Sequence, residues 1–224
     1  MQCNICGARQ FEDWRGKKAE LCCGCGAKAR HRVALDVYER LLFPAVAKGG
    51  NVLHLAPEQC LFGRLKQEFG EGYRPADAAP ERYPHANPMR LVLPEGLGQF
   101  GDGAFAAILH NHVLEHIPGH WADHVDALLR VLAPRGRMVF SVPGPYLDRD
   151  TIEGGEHLKS DKERLERFLQ EDHFRLFGRD FVARLKSWPE TRFIDDGTTD
   201  ARRAEIAVRP GKAPFFILEK RSGG

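Results

Sequence analysis

Two pairs of cysteines near the start of the sequence have the spacing of metal-binding turns. Cys3 and Cys6 are separated by two residues and followed by a glycine, and Cys22 and Cys25 repeat this pattern. Such a pair directs two sulfurs at one ion, and the glycine allows the tight backbone turn. Four sulfurs complete a tetrahedral site with no open position. The spacing therefore predicts a small N-terminal ribbon held by structural Zn²⁺.

Alternatives to this zinc site remain open at the sequence level. Cys23 could replace Cys22 as a ligand, although only Cys22 repeats the spacing of the first pair. The same thiolates could hold iron in a rubredoxin-like centre, or the cysteines could stay reduced without metal. Five of the six cysteines lie in the first 25 residues, a distribution that does not suit a disulfide scaffold.

A histidine-rich stretch follows a predicted buried strand. Four histidines spaced by four residues would form a metal-binding ridge if they shared one helix. Pro118 and Gly119 interrupt that helix, so we expect no continuous ridge, and we expect the Glu115-His116 pair to serve local hydrogen bonding before acid–base chemistry. The four histidines are His112, His116, His120 and His124.

The stretch Asp172-His173-x-Arg175 is the best candidate for acid–base catalysis. A carboxylate beside a histidine can hold one tautomer, and the imidazole can accept a proton near neutral pH. Arg175 could bind an acidic substrate through two parallel hydrogen bonds. The alternative is a set of caps and ion pairs that fix the surrounding segment. Arg30-His31-Arg32 similarly could face an anionic ligand or form a solvated junction.

Short apolar strands alternate with amphipathic helices along most of the chain, which predicts a doubly wound, mostly parallel α/β sheet. The strands are predicted at 51–55, 73–76, 89–93, 105–110 and 138–142, and the helices near 33–42, 61–69 and 121–132. Residues 206–208 and 215–218 flank a turn and predict an antiparallel hairpin. We predict a ribbon over 1–29 and one main domain over 30–224, with the charged segment 146–180 as a lid or substrate segment.

The composition of the 224-residue chain is that of an ordinary globular protein, with 42% hydrophobic and 29% charged residues. The net charge of +2 and the absence of long basic runs give no reason to expect a nucleic-acid or membrane partner. No apolar run reaches the roughly 20 residues that span a bilayer, and no signal peptide is recognisable. We expect a cytoplasmic protein, and the sequence makes no prediction of its oligomeric state.

Several stretches, in this order and spacing, resemble the class I S-adenosylmethionine-dependent methyltransferases of type 11, specifically a bacterial subgroup with an N-terminal zinc ribbon. They are the two cysteine pairs leading into Arg30-His31-Arg32, then VLHLAPE (52–58), NHVLEHIP (111–118), RVLAPRG (130–136) and EDHFRLFG (171–178). The resemblance implies a Rossmann-like sheet of seven strands with the last strand antiparallel. It also implies that S-adenosylmethionine lies across the carboxyl ends of the first strands.

The resemblance assigns roles to three turns at that edge. The turn after the first strand would lie beside the methionine part of the cofactor, Asp77 would accept hydrogen bonds from the ribose, and the turn after the fourth strand would line the methyl-donor pocket. The implied cofactor-binding residues are Leu55, Ala56, Pro57, Glu58, Asp77, Asn111, His112 and Val113. The sequence departs from the family pattern in having no glycine-rich turn after the first strand and no acidic residue in 89–92.

From these observations we expect a methyltransferase that acts on a small polar metabolite or natural-product intermediate, with His173, Asp172 and Arg175 as candidate catalytic residues. A repositioned cofactor could instead serve a reaction other than methyl transfer. A hypothesis from another class is an inactive, methyltransferase-like binding module whose ribbon contacts RNA or protein. The ribbon carries few basic and aromatic residues, which does not favour that module.

Overall fold

The structure is a computed structural model that describes residues 1–146 and 148–222. In the region predicted as the ribbon, the strands β1 (Phe11–Trp14) and β2 (Lys17–Cys22) pair antiparallel. The other seven strands form one sheet in the order β5-β4-β3-β6-β7-β9-β8. They are β3 (Val52–Leu55), β4 (Tyr73–Asp77), β5 (Met89–Arg90), β6 (Phe105–Asn111), β7 (Leu132–Ser141), β8 (Thr191–Asp195) and β9 (Phe216–Lys220).

The sheet is mostly parallel, as the sequence predicts. Strands β5, β4, β3, β6 and β7 run in one direction, and the last strand of the chain, β9, is antiparallel to both of its neighbours, β7 and β8. The chain builds the sheet outward from β3 to β5 and then crosses to β6, so its direction of winding reverses between β3 and β6. The predicted Rossmann-like fold class is confirmed.

Helices cover both faces of the sheet and bury the apolar side chains that the strands present to them. On one face, α1 (Ala29–Val37) and α2 (Gln59–Phe69) contribute Val33, Val37, Leu61, Leu65 and Phe69 to a core cluster. On the other face, α3 (Trp121–Val131) and α5 (Arg179–Lys186) contribute a second cluster. Two shorter helices are α4 (Asp161–Phe168) and α6 (Asp200–Glu205).

Strand β7 begins earlier than the sequence predicts. Residues 134–136, expected to lie between the helix near 121–132 and the strand at 138–142, are inside β7. Leu132 already pairs with Phe105 and Arg137 pairs with Ala107, so the residues between them form a bulge. Gly136 is required there, since a Cβ atom would lie 2.8 Å from the carbonyl oxygen of Ala133. A proline is tolerated in a strand at such a bulge.

The predicted hairpin between 206–208 and 215–218 is wrong. Strand β9 pairs instead with β8 at 191–195, a strand that the sequence analysis missed, while residues 206–208 lie buried beside the ribbon. The third predicted strand at 89–93 is also shorter, since β5 covers only Met89–Arg90. The described residues contain no helix with both the length and the apolarity needed to cross a bilayer.

Arg32 joins the ribbon to the main domain. Its side chain is fully buried, and its five N–H groups donate to five backbone carbonyls. Two of these carbonyls belong to the C-terminal segment, at Ile206 (2.8 Å) and Ala207 (2.7 Å). The other three belong to the ribbon, at Ala19, Glu20 and Ala27. Arg32 is therefore neither solvated nor available to an anionic ligand.

We predict that Arg32→Met lowers the free energy of unfolding by about 3 kcal/mol or more, because it leaves several buried carbonyls without donors. Arg32→Lys should fall between this variant and the wild type, since an ammonium group supplies only three donors. Urea denaturation followed by circular dichroism measures the loss. Arg74→Met, at an exposed arginine, is the control and should be neutral. Equal stability of Arg32→Met and the control would contradict the role of Arg32.

Candidate functional site

The ribbon brings together the four cysteines that the spacing singles out. The sulfurs of Cys3, Cys6, Cys22 and Cys25 all lie within 4.8 Å of one another. The Cys3–Cys25 and Cys6–Cys22 sulfur pairs are 3.8 and 3.6 Å apart. Four sulfurs held about 2.3 Å from one zinc ion are about 3.8 Å apart, so the cluster fits that ion. Cys23 is exposed and lies outside the cluster.

The turns expected to hold a cofactor share one edge of the sheet. Leu55, the last residue of β3, pairs with Ala76 of β4 on one side and with His110 of β6 on the other. Asp77 and Asn111 are the next residues of these two strands. The three turns therefore meet at the carboxyl edge where the winding reverses, which is the usual ligand position in open α/β sheets.

The chain turns sharply at the ends of β3 and β6. Ala56 and His112, the residues just past these two strands, both have left-handed backbone conformations, with φ of +52° and +54°. This conformation is costly for residues other than glycine, and strain of this kind concentrates at functional sites. After the first turn, Pro57 and Glu58 lead directly into α2, so the positive N-terminus of this helix lies at the same edge.

A buried polar network lies behind the turn after β3. Glu58 accepts hydrogen bonds from His54 Nε2 at 2.9 Å and from Asn111 Nδ2 at 2.9 Å. The other ring nitrogen of His54 lies 2.7 Å from the hydroxyl of Tyr73, and Asn111 Oδ1 accepts from Ser141. The side chains of Glu58 and Asn111 thus fix the turns after β3 and β6 to each other.

Glu58 carries its negative charge throughout the neutral range. Burial alone would raise the pKa of its carboxyl, but the hydrogen bonds that it accepts from His54 and Asn111 lower the pKa to about 2. An ionised carboxylate only accepts hydrogen bonds, so His54 carries its proton on Nε2 and accepts from Tyr73 at Nδ1. The orientation of the whole network follows from this single charge.

Asp77 lies at the end of β4 with one carboxylate oxygen engaged. Oδ1 accepts the backbone N–H of Ala79 at 2.8 Å, and burial raises the pKa of the carboxyl above its ordinary value. The second oxygen remains available to a ligand. A carboxylate in this position suits a ligand with neighbouring hydroxyl groups.

The start of α1 contributes a cation and a neutral histidine to the edge. His31 Nδ1 accepts the backbone N–H of Lys28, and its Nε2 lies 3.9 Å from a Glu58 oxygen. Burial lowers the pKa of His31 to about 3, so the ring is neutral at pH 7. The Nε of Arg30 is buried and has no hydrogen-bond partner among residues 1–146 and 148–222. Of the Arg30-His31-Arg32 stretch, only its first two residues reach the site.

The structure joins two stretches that are far apart in sequence. The backbone N–H of Phe174 donates to the carbonyl of Glu115 at 2.8 Å. His116 Nδ1 lies 3.1 Å from the carbonyl oxygen and 3.2 Å from the carboxylate of Asp172. The rings of His116 and His173 pack edge to face with centroids 4.8 Å apart. The carboxylate–histidine pair of the site is therefore Asp172 with His116, whereas the sequence suggested Asp172 with His173.

Glu115 is the most unusual side chain of this contact. It is 1% exposed, and neither carboxylate oxygen has a hydrogen-bond partner in the described part of the chain. Burial raises the pKa of this carboxyl to about 8, against the opposing charges of Arg30 and Arg175. His112 Nδ1 lies 3.5 Å from a Glu115 oxygen. The contact is thus continuous with the turn after β6.

Arg175 and His173 are buried beneath the contact between residues 115–116 and 172–174 and stabilise it. Arg175 donates to a carboxylate oxygen of Glu153 at 3.1 Å and to the backbone carbonyls of Leu114 and Gly119. Its guanidinium is buried and each of its three nitrogens donates a hydrogen bond within the protein, so it is not exposed to an acidic substrate. His173 is also buried, and burial lowers its pKa to about 4. These contacts favour the alternative in which the stretch fixes the surrounding segment.

The four spaced histidines do not share a helix. His116 ends a short 3₁₀ turn, while His120 immediately precedes α3. His124 bonds the carbonyl of Pro118 at 2.8 Å, and His120 contacts Glu153. The expectation that Pro118-Gly119 interrupts the ridge agrees with this geometry. The sequence analysis did not anticipate that His116 would join Glu115 and the 172–173 pair.

Taken together, the edge has a carboxylate with one unengaged oxygen at Asp77, an unpaired Arg30 nitrogen, and a polar contact between residues 115–116 and 172–173. A ligand with a positive centre and a carboxylate could find a complement here. The sequence already pointed to Arg30, as part of a stretch that could face an anionic ligand. The contact of residues 115–116 with residues 172–174 had no local signal, since the two segments are more than fifty residues apart.

Comparison with known proteins gives one family and a set of similar folds. The profile of the family described as "Methyltransferase domain" matches residues 16–186. The match begins inside the ribbon, so the boundary expected after residue 29 stays a prediction. No curated protein sequence matches the chain significantly.

Solved structures share the fold at low sequence identity. A chain of the complex between the Haloferax volcanii Trm112 methyltransferase activator and a putative methyltransferase is 14% identical. The match has a TM-score of 0.52 and covers 85% of this chain and 89% of that one. An S-adenosylmethionine-dependent methyltransferase from Archaeoglobus fulgidus is 10% identical, with a TM-score of 0.51, covering 86% of this chain and 94% of that one.

We predict that Glu58→Gln destabilises the protein by about 2 kcal/mol near pH 7, because it removes the charge that orders the buried network. The depressed pKa of Glu58 means that its contribution is complete above the ordinary carboxyl pKa and is lost as the pH falls toward 2. The difference in unfolding free energy between wild type and variant should therefore narrow below about pH 4.5.

Urea denaturation at a series of pH values measures this difference. Glu71→Gln, at a side chain that is 99% exposed, is the control and should differ little from the wild type at any pH. A Glu58→Gln penalty that stays constant down to pH 3 would contradict the assigned ionisation.

Proposed function

The chain belongs to the methyltransferase-domain family, and from that premise we propose that it transfers the methyl group of S-adenosylmethionine to a small polar acceptor, a metabolite or natural-product intermediate. The observation that carries the proposal is the convergence of the turns after β3, β4 and β6 at one edge of the sheet. The binding-module alternative is not proposed further, because nothing in the comparisons favours it.

The residues at this edge fit the cofactor. The second oxygen of Asp77 would accept hydrogen bonds from the ribose hydroxyls, and Arg30 would pair with the carboxylate of the methionine part. Leu55, Ala56 and Pro57 would lie along the cofactor, with His112 and Val113 beside its methyl group. Glu58 and Asn111 would act behind these turns by fixing their geometry. When bound, the cofactor supplies an electrophilic methyl group.

The acceptor would bind beside the 115–116 and 172–173 contact. Methyl transfer is an in-line displacement, so the enzyme chiefly needs to orient the acceptor and to provide for the loss of its proton. Asp172 would act through His116, to which it is hydrogen-bonded. His173 and Arg175 would position this contact from inside. The polar character of these residues supports a polar acceptor.

The ribbon would hold one structural Zn²⁺ through Cys3, Cys6, Cys22 and Cys25. A closed set of four thiolates supplies folding energy to a segment too small to bury a core of its own. Free thiolate ligands require a reducing compartment, which supports a cytoplasmic location.

We expect the purified protein to bind S-adenosylhomocysteine with micromolar affinity in calorimetric titration. Asp77→Asn should weaken binding by about 10- to 100-fold, because it removes a charge-assisted acceptor. The matched control is Asp195→Asn. Asp195 accepts the N–H of the residue two positions later, Gly197, at 2.8 Å, as Asp77 does from Ala79. It lies on β8, however, which is five strands away from β4 in the sheet. Absence of binding in the wild type, or equal losses in both variants, would contradict the proposed site.

For the ribbon we expect one equivalent of zinc per chain by elemental analysis. Cys22→Ser should lose the metal, because it removes one of the four clustered sulfurs, whereas Cys23→Ser should retain it. These adjacent cysteines are a matched pair. Retention of zinc by Cys22→Ser together with loss from Cys23→Ser would show that the ligand set is different.

A further inference from the structure

A second group of side chains of the kinds that bind metals lies at the contact between the 114–119 turn and the 171–176 segment. One carboxylate oxygen of Glu115 and one ring nitrogen each of His116 and His173 lie within 4.8 Å of one another. We propose that these three side chains bind a divalent transition-metal ion, at a site separate from the four cysteines. No role described above for Glu115 explains why its carboxylate is buried here.

The hydrogen bonds at Nδ1 leave Nε2 of each histidine unprotonated. His116 Nδ1 faces two acceptors on Asp172, so it carries the proton, and Nε2 lies 3.8 Å from Glu115 Oε1. His173 Nδ1 faces the backbone carbonyl of Phe168 at 3.2 Å, so its Nε2 is the unprotonated nitrogen. Histidines that bind metals commonly donate their other N–H to a carboxylate or a backbone carbonyl in this way.

The unpartnered carboxylate of Glu115 is an independent indication of a ligand. Its side chain is 1% exposed, and both oxygens lack a hydrogen-bond partner among the residues described. A buried polar group without a partner is costly, and such groups are few in native proteins. A cation bound between Glu115 and the two imidazoles would satisfy this carboxylate.

The charges around the site are compatible with a cation. Asp172 adds a negative charge behind His116, and the charge of Arg175 is opposed by Glu153. Arg30 is the remaining nearby cation, and its charge acts on Glu115. Ligands about 2.1 Å from one ion are about 3.0–3.4 Å apart, so binding draws the three groups together by roughly 0.5–1.5 Å.

The ligand types select the metal and leave room for a further ligand. Two imidazoles and one carboxylate suit Zn²⁺, Co²⁺ or Fe²⁺, whereas Mg²⁺ and Ca²⁺ prefer oxygen ligands throughout. Gln170, whose amide contacts Nε2 of His173 from an exposed position, would have to move aside. Three protein ligands leave at least one coordination position open.

The next step rests on the proposed function: the open coordination position would take a hydroxyl oxygen of the methyl acceptor. The ion would promote loss of the hydroxyl proton to bulk water. The oxygen lone pair then forms the new bond to the methyl carbon, the bond from that carbon to sulfur breaks, and its electron pair remains on the sulfur. The acceptor class would therefore be an alcohol or a phenol.

The test uses the full chain with zinc in its ribbon, titrated with CoCl₂ by calorimetry and visible absorption. We expect one equivalent of Co²⁺ to bind with weak d–d bands and without the charge-transfer bands of a thiolate site. His116→Ala and His173→Ala should weaken binding at least tenfold, and so should Glu115→Gln. His157→Ala, at an exposed histidine, should bind Co²⁺ as the wild type does. Gln170→Ala should bind at least as tightly.

Failure of the wild type to bind Co²⁺ outside the ribbon would overturn the site, and so would unchanged binding by both His116→Ala and Glu115→Gln. His116 is 35% exposed, so its variant tests the site even if His173→Ala does not fold. Catechol added to the cobalt-loaded protein should shift the bands, and an unchanged spectrum would overturn the hydroxyl assignment. Titration with S-adenosylhomocysteine in parallel keeps these outcomes separate from a failure of the proposed function.

Discussion

The parallel pairing of β3 with both β4 and β6 is the constraint on which the candidate site depends. Parallel strands present their carboxyl ends at one edge, so three turns that are separated along the sequence become neighbours without any further contact between them. The buried charge of Glu58 then fixes two of these turns to each other through Asn111. The sheet thus sets the place of the site, and one carboxylate sets its local geometry.

The second half of the site comes from a long-range contact that the sheet does not dictate. Segment 171–176 packs on the turn after β6 through the backbone hydrogen bond from Phe174 to Glu115 and through the buried guanidinium of Arg175. This contact gives Asp172 a histidine partner and encloses Glu115. Of the segment expected as a lid, residues 148–180 and Tyr146 are described, and their inner part is tied to the core at several points.

Sequence patterns predicted the parts of the fold whose burial is local and periodic. Strand β6 is apolar over most of its length because both of its faces are covered, and α2 shows its Leu61, Leu65 and Phe69 stripe directly. Strand β8 and the bulge in β7 were missed, because each depends on a neighbour that is distant in sequence. For the same reason the cysteine pairs were recognisable, whereas the contact of residues 115–116 with 172–174 and the partners of Arg32 were not.

The five hydrogen bonds that Arg32 donates to backbone carbonyls bear on how the protein unfolds. Three of them belong to the ribbon and two to the chain just after α6, so one side chain closes a link between the two ends of the polypeptide. Opening the ribbon breaks the same bonds that hold the C-terminal segment against the sheet. We therefore expect the ribbon and the main domain to unfold together, and we expect a truncation that starts at the main domain to remove contacts that support that domain.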